Sequence, residues 1–184
     1  DDLSISYVRT REPGGTPMAE TLRENMLAEW DESVNGLTEL FIAFAARLQH
    51  VQGVIRPALV SGKWVVCDRF TDASYAYQGY GRGLDLEKIA VLEEWVHGDL
   101  QPDLTIYLDL DPEVAALRIA NRERDRMEQE QMSFFHKVRQ GYLARATADA
   151  RFRTVDASLP LVDVQRAVCL QVKEFVGFHR QGVS

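Results

Sequence analysis

Short apolar runs alternate along this chain with longer stretches in which apolar residues recur every third or fourth position. The first run, Leu3 to Val8, alternates like a strand. Trp64 to Cys67 is a compact β-branched run bounded by Gly62 and a charged pair, and Leu104 to Leu110 and Phe152 to Val155 are similar. These four segments are predicted strands. Between them, helical spacing predicts helices from Pro17 to about Ala28, Leu37 to about Gln52, Val54 to Val60, Leu86 to Val96, Pro112 to Arg122, Met132 to Ala148 and Asp163 to Phe178. Thr16, Asp85 and Asp111 stand where N-caps belong, and Pro17 and Pro112 suit first helical positions. Pro57 is expected to start its helix or kink it after a break. Strands alternating with helices predict an α/β fold, a parallel sheet flanked by helices.

At 184 residues the chain has the size of one domain with a substantial core. A net charge of −7 argues against a nucleic-acid polymer as partner, which needs a basic face. Cys67 and Cys169 lie far apart and predict neither a disulfide framework nor a metal knuckle, so a reducing cytoplasm is the expected compartment. No apolar run has the length of a membrane span. The four histidines, His50, His97, His136 and His179, show no metal-ligand spacing and read as structural or surface residues.

The chemistry concentrates at strand ends. Asp68 and Arg69 follow the Trp64 run, where open α/β sheets bind their ligands. The pair is either a strand-end ion pair or a ligand clamp, for which a guanidinium fork suits phosphate oxygens. Ser74, Tyr77 and Gln78 follow at spacings that place them on one helical face, before Gly79-Tyr80-Gly81-Arg82-Gly83. Arg11-Glu12-Pro13-Gly14-Gly15-Thr16 is a tight strand-to-helix turn that either carries two solvated charges or approaches a ligand. Phe41, Phe44, Arg47 and His50 form a ladder of threes on an apolar helix; Arg47 there either snorkels or faces a ligand. The segment 122–130 is a charged helix face or, with Arg122, Arg124 and Arg126 at alternate positions, a lid for a transferring phosphoryl group.

Five segments together resemble bacterial thymidylate kinases of the P-loop nucleoside monophosphate kinase fold: Thr10-Arg11-Glu12-Pro13-Gly14-Gly15-Thr16, Phe44-Ala45-Ala46-Arg47, Asp68-Arg69-Phe70, Ala76-Tyr77-Gln78-Gly79 with Gly81-Arg82-Gly83, and Asp125-Arg126-Met127-Glu128. The resemblance covers the chain in order. It implies a three-layer P-loop kinase fold, a single domain over 1–184 with a lid at 120–131, and phosphorylation of dTMP to dTDP by ATP with Mg²⁺. Phe44 would stack on the thymine, Arg47 would donate to a thymine carbonyl, and Ser74 and Gln78 would complete the base edge. Tyr77 would exclude a ribose 2′-hydroxyl. Arg69 would clamp the monophosphate with Arg23, Glu12 and Pro13 nearby. Asp68 would sit at the Mg²⁺–phosphate region, Asp125 and Glu128 at the lid base, and Arg122, Arg124 and Arg126 would supply charge. A cytoplasmic homodimer is likewise implied.

Three departures accompany the resemblance. Some relatives place the aromatic four residues before the arginine, where this chain has Ala43. The lid is about two residues shorter than the family pattern, within the error of boundary placement. No Gly-x-x-x-x-Gly-Lys run occurs, so the first strand and P-loop are expected to precede Asp1 in a longer protein. Without them the alternative is a noncatalytic nucleotide-binding or assembly protein; separately, a kinase for a related nucleoside or nucleotide would share the fold and the Asp-Arg pair.

Overall fold

The computed structural model describes residues 5–121 and 123–181. Strand β1 is Tyr7–Arg11 and pairs in parallel with β2, Trp64–Asp68, in the register Tyr7↔Trp64 to Arg11↔Asp68. β1 lies further along than the alternation at Leu3 to Val8 predicts. Backbone pairing with β2 recruits the polar Arg9, Thr10 and Arg11, which side-chain alternation alone would leave out. The ladder continues one step further, because the Glu12 amide donates to the Asp68 carbonyl at 2.9 Å. β3, Thr105–Asp109, and β4, Phe152–Asp156, form a second parallel pair. Among the described residues the pairs are not hydrogen-bonded to each other, so the expected sheet is present as two halves. Val66 on β2 and Leu108 on β3 remain exposed.

Helix α1, Pro17–Leu27, begins as its cap predicts, with Thr16 Oγ1 accepting from the Ala19 amide at 3.2 Å. Helix α2, Gly36–His50, is capped by Asn35. No break follows it. A wider π-helical turn, Val51–Ile55, leads straight into α3, Arg56–Val60. Pro57 cannot donate to an i−4 carbonyl, and the chain absorbs that loss by widening ahead of it, with Arg56 N–H reaching Val51 O. The central stretch does the same: α4, Thr71–Ser74, passes into a π-helical turn, Tyr75–Gly81. α5 spans Leu86–Val96 and α7 spans Met132–Ala148, as predicted. α6, Pro112–Arg118, stops short of the expected Arg122, which lies outside the described residues. α8 runs from Leu161 to Gln181.

Two apolar clusters fix the helices around the strand ends. Leu40, Phe44, Tyr75 and Ile89 join α2, the central turn and α5. Ala76, Met127, Phe134 and Val138 join the other side of that turn to the charged segment and α7. Each fully buried side chain of this size stabilises by about 1.5–3 kcal/mol. The central turn is thus gripped on both sides.

Candidate active site

A cavity of about 370 Å³ opens beyond the carboxyl ends of β2 and β3. Its wall takes Arg69 and Phe70 from the end of β2, Ser74, Tyr77 and Gln78 from the central turn, Arg23 from α1, and Ala43 and Arg47 from α2. Glu12 and Pro13 come from the turn after β1, and Arg124, Asp125 and Glu128 from the charged segment. Eleven of the residues singled out from the sequence therefore meet at one cavity: Glu12, Pro13, Arg23, Arg47, Arg69, Ser74, Tyr77, Gln78, Arg124, Asp125 and Glu128.

One end of the cavity is a dry polar network. Arg47 lies on the buried stripe of α2 with Leu40, Ala43, Phe44 and His50, so it does not snorkel. Its Nε donates to Glu12 Oε2 at 2.6 Å and its Nη2 to Ser74 Oγ at 3.1 Å, while Nη1 is buried without a partner. The guanidinium lies over the Phe44 ring at 4.5 Å and 5.6 Å from that of Phe70. His50 Nδ1 meets the other Glu12 oxygen at 2.9 Å, and His50 Nε2 lies 2.6 Å from Thr10 Oγ1. Burial pushes the Glu12 carboxyl up. The Arg47 charge and the bonds from His50 and Arg47 outweigh that, and the net shift is down. Gly15 has a φ of 87°, and a Cβ there would strike the His50 ring and Thr10 Oγ1, so the Pro-Gly-Gly turn can press on this network only as glycine.

The opposite end gathers cations, Arg69 exposed and Arg23 half-buried. Arg69 holds a φ of 65°, the left-handed region that a non-glycine residue rarely occupies. Such strain is held by its surroundings and clusters at ligand sites. Its guanidinium stands 5.2 Å from the Tyr77 ring. Arg23 donates to the Pro13 carbonyl at 3.1 Å, and burial together with the like charges of Arg11 and Arg69 lowers its pKa. The crowding acts on Arg23 alone, since the Arg69 pKa is raised, chiefly by Tyr77.

Three expected residues lie elsewhere. Phe44 is 2% exposed and belongs to the α2–α5 core, off the cavity wall, because one helical step further round would be needed to face it. Ala43 and Phe70 occupy the wall instead. Arg126 is tied down: Nη1 meets the fully buried Glu39 at 2.8 Å, and Nη2 reaches the Met26 carbonyl at 2.7 Å. Asp68 is exposed at the end of β2, off the wall. Of the histidines, His97 is structural, packed on Phe70 and bonded to Thr71, and burial lowers its pKa. His136 is a surface partner of Glu113, and the His179 side chain lies outside the described residues. His50 was not expected at the site. Its signal was the three-residue step from Arg47, which puts both on one helix face.

The sequence model of the family described as Thymidylate kinase matches residues 1–168. The thymidylate kinase of Pseudomonas savastanoi pv. phaseolicola is 58% identical over 166 residues, covering 89% of this chain and 79% of that protein. The thymidylate kinase of Teredinibacter turnerae is 51% identical over 175 residues, covering 94% and 85%. The crystal structure of thymidylate kinase from Ehrlichia chaffeensis superposes with a TM-score of 0.72 at 30% identity, covering 91% of this chain and 80% of that one.

Proposed function

This chain belongs to the thymidylate kinase family, and on that premise we propose how its residues seat the substrate. The chain is an ATP-dependent dTMP kinase with the α/β P-loop kinase fold. Relatives at 51–58% identity favour this over a kinase of another nucleotide or a noncatalytic binder. The reaction moves the γ-phosphoryl group of ATP to a phosphate oxygen of dTMP, giving dTDP and ADP. The acceptor is already ionised, so positioning and charge neutralisation carry the rate.

In our reading thymine enters the end closed by Glu12, Arg47 and Ser74. Arg47 Nη1 donates to a ring carbonyl, Gln78 completes the base edge, and Phe70 replaces Phe44 as the stacking ring. Tyr77 stands beside the sugar 2′ carbon. Arg69 and Arg23 hold the 5′-phosphate, with Pro13 shaping the turn. Arg124 and Arg122 supply charge from a lid at 120–131, for which Asp125 and Glu128 form the base and Arg126 the anchor. The whole chain, 1–184, works as one domain. Mg²⁺ needs few protein ligands when phosphates supply the rest. Asp68, an exposed carboxylate beside the phosphate clamp, fits that role, and the metal would neutralise charge between the two substrates. No group for the ATP phosphates is assigned, since these residues contain no Gly-x-x-x-x-Gly-Lys run.

Two further proposals complete the reading. Phe41 and Leu48 on α2, Leu59 and Val60 on α3, and Val91 and Trp95 on α5 are exposed. α2 packs on both α3's preceding turn and α5, and we assign this face to a second copy of the chain. Trp95→Lys should then convert a dimer to a monomer in analytical ultracentrifugation. Among the described residues no helix is long and apolar enough to cross a membrane; we assign the protein to the cytoplasm because both nucleotide substrates are found there.

The observation that carries the reading is Arg47 Nη1, a buried donor without a partner, on a cavity whose far end collects Arg69 and Arg23. Calorimetry with dTMP and dCMP tests it. dTMP should bind at least about tenfold more tightly, because a ring amino group facing Nη1 leaves both donors unsatisfied. Equal affinities would remove Arg47 as the base reader.

A further inference from the structure

We infer that His50 is a positioning residue for base recognition, acting through Glu12 on Arg47. The inference rests on the reading of Arg47 as the group that meets the base. His50 is fully buried one helical turn beyond Arg47 and does not line the cavity, so it cannot touch the ligand itself. What it touches is Glu12, whose two oxygens are divided: Oε2 accepts from Arg47 Nε at 2.6 Å, and Oε1 faces His50 Nδ1 at 2.9 Å.

A carboxylate only accepts, so Nδ1 carries the proton. In the neutral ring Nε2 is then an acceptor, and the Thr10 hydroxyl, 2.6 Å away, donates to it. Every polar atom of His50 is satisfied in this one tautomer. The chain Thr10–His50–Glu12–Arg47 therefore has one direction of donation through Thr10 and His50 to Glu12, which receives Arg47 from the other side. With Ser74 holding Nη2, the guanidinium has two of its three corners fixed and one left open.

Removing His50 would leave Oε1 buried and unpaired. The carboxylate would then rotate to share Arg47 between both oxygens, and Nη1 would turn toward Glu12. A buried network of this kind works as a unit. The packing of Gly15 against the His50 ring holds the ring's shape as a separate role, which a flat apolar ring can keep.

That separation supplies the test. His50→Phe keeps ring volume and loses both hydrogen bonds. His50→Asn places an amide donor where Nδ1 stands, and His50→Gln places one where Nε2 stands. Calorimetry with dTMP should give about tenfold weaker binding for His50→Phe and His50→Gln, and recovery to within about threefold of the parent for His50→Asn. In an Arg47→Gln background His50→Phe should add nothing, since the effect passes through Arg47. Parent-like binding by the folded Phe or Gln variant would overturn the inference. So would an equal loss in the Arg47→Gln background, which would mark a general structural role. Should His50→Phe not fold, the Gln and Asn pair decides on the same readings. If the parent chain itself fails to bind dTMP, the reading of the site falls, and this inference with it.

Discussion

At the end of the cavity that we assign to the base, Glu12, Arg47 and His50 are 0–2% exposed and Arg47 and His50 each bond Glu12, while at the end that we assign to the phosphate Arg69 is exposed and Arg23 is crowded by the like charges of Arg11 and Arg69. The first end is finished before a ligand arrives, with one donor left open. The second has its backbone set by the left-handed Arg69, and its cations are unevenly paired: Arg11 meets Glu20 at 2.7 Å, while Arg23 donates to the Pro13 carbonyl. The two ends should therefore respond differently to the same kind of damage. A change at the buried end removes stability and binding together, because an orphaned charge costs about 3–5 kcal/mol in a dry site. A change at the open end removes binding alone, and that binding should weaken with salt.

The largest effect is expected at the open end. Arg69→Ala should weaken dTMP binding by at least about a hundredfold, the value of a charge-assisted bidentate contact, with the thermal midpoint unchanged. A fall in midpoint matching the loss of binding would erase the contrast. Next comes Arg47→Gln, which should lower both: affinity by about tenfold or more and stability by about 3–5 kcal/mol, read by calorimetry and denaturant unfolding on the same preparation. Two phenylalanines sharpen the comparison. Phe44→Ala should cost about 3–5 kcal/mol of stability as a core truncation. Phe70→Ala should instead cost about 1–3 kcal/mol of dTMP binding as a lost stacking ring; a reversed pattern would return the stacking role to Phe44. Tyr77→Ala should admit ribothymidine monophosphate as a competitor of dTMP within about tenfold, since the ring excludes it sterically; unchanged discrimination would remove the ring from the sugar.

The smallest effect is in pH. The Glu12 carboxyl is shifted down from its ordinary value of 4.5 on balance. A lowered folded-state pKa gives stability that is present above 4.5 and lost as pH falls through the folded value. The stability difference between the parent and Glu12→Gln should therefore shrink below pH 4.5, read by thermal unfolding across that range.

How much of this was visible in the residues differs between the same two ends. The end that we assign to the phosphate was legible because its signals are local: Asp68 and Arg69 follow a buried strand directly. Strand type, helix caps at Thr16, Asp85 and Asp111, and the turn at Gly14-Gly15 were legible for the same reason. The base end depends on pairings 27 to 40 residues apart in sequence, Arg47 with Ser74, Arg47 and His50 with Glu12, and His50 with Thr10. Nothing local announces them. The choice between Phe44 and Ala43 at the wall turns on about 100° of helix rotation, one residue of 3.6 per turn, which periodicity does not resolve when both neighbours are apolar. Arg126 looked like a lid charge because its partner, Glu39, lies on another helix.

The position of bound dTMP is the most direct test. A crystal structure of the dTMP complex should show the phosphate bridging Arg69 and Arg23 and a pyrimidine carbonyl within hydrogen-bond reach of Arg47 Nη1, beside Phe70. A nucleotide bound with its base away from Arg47, leaving Nη1 unpaired, would contradict it.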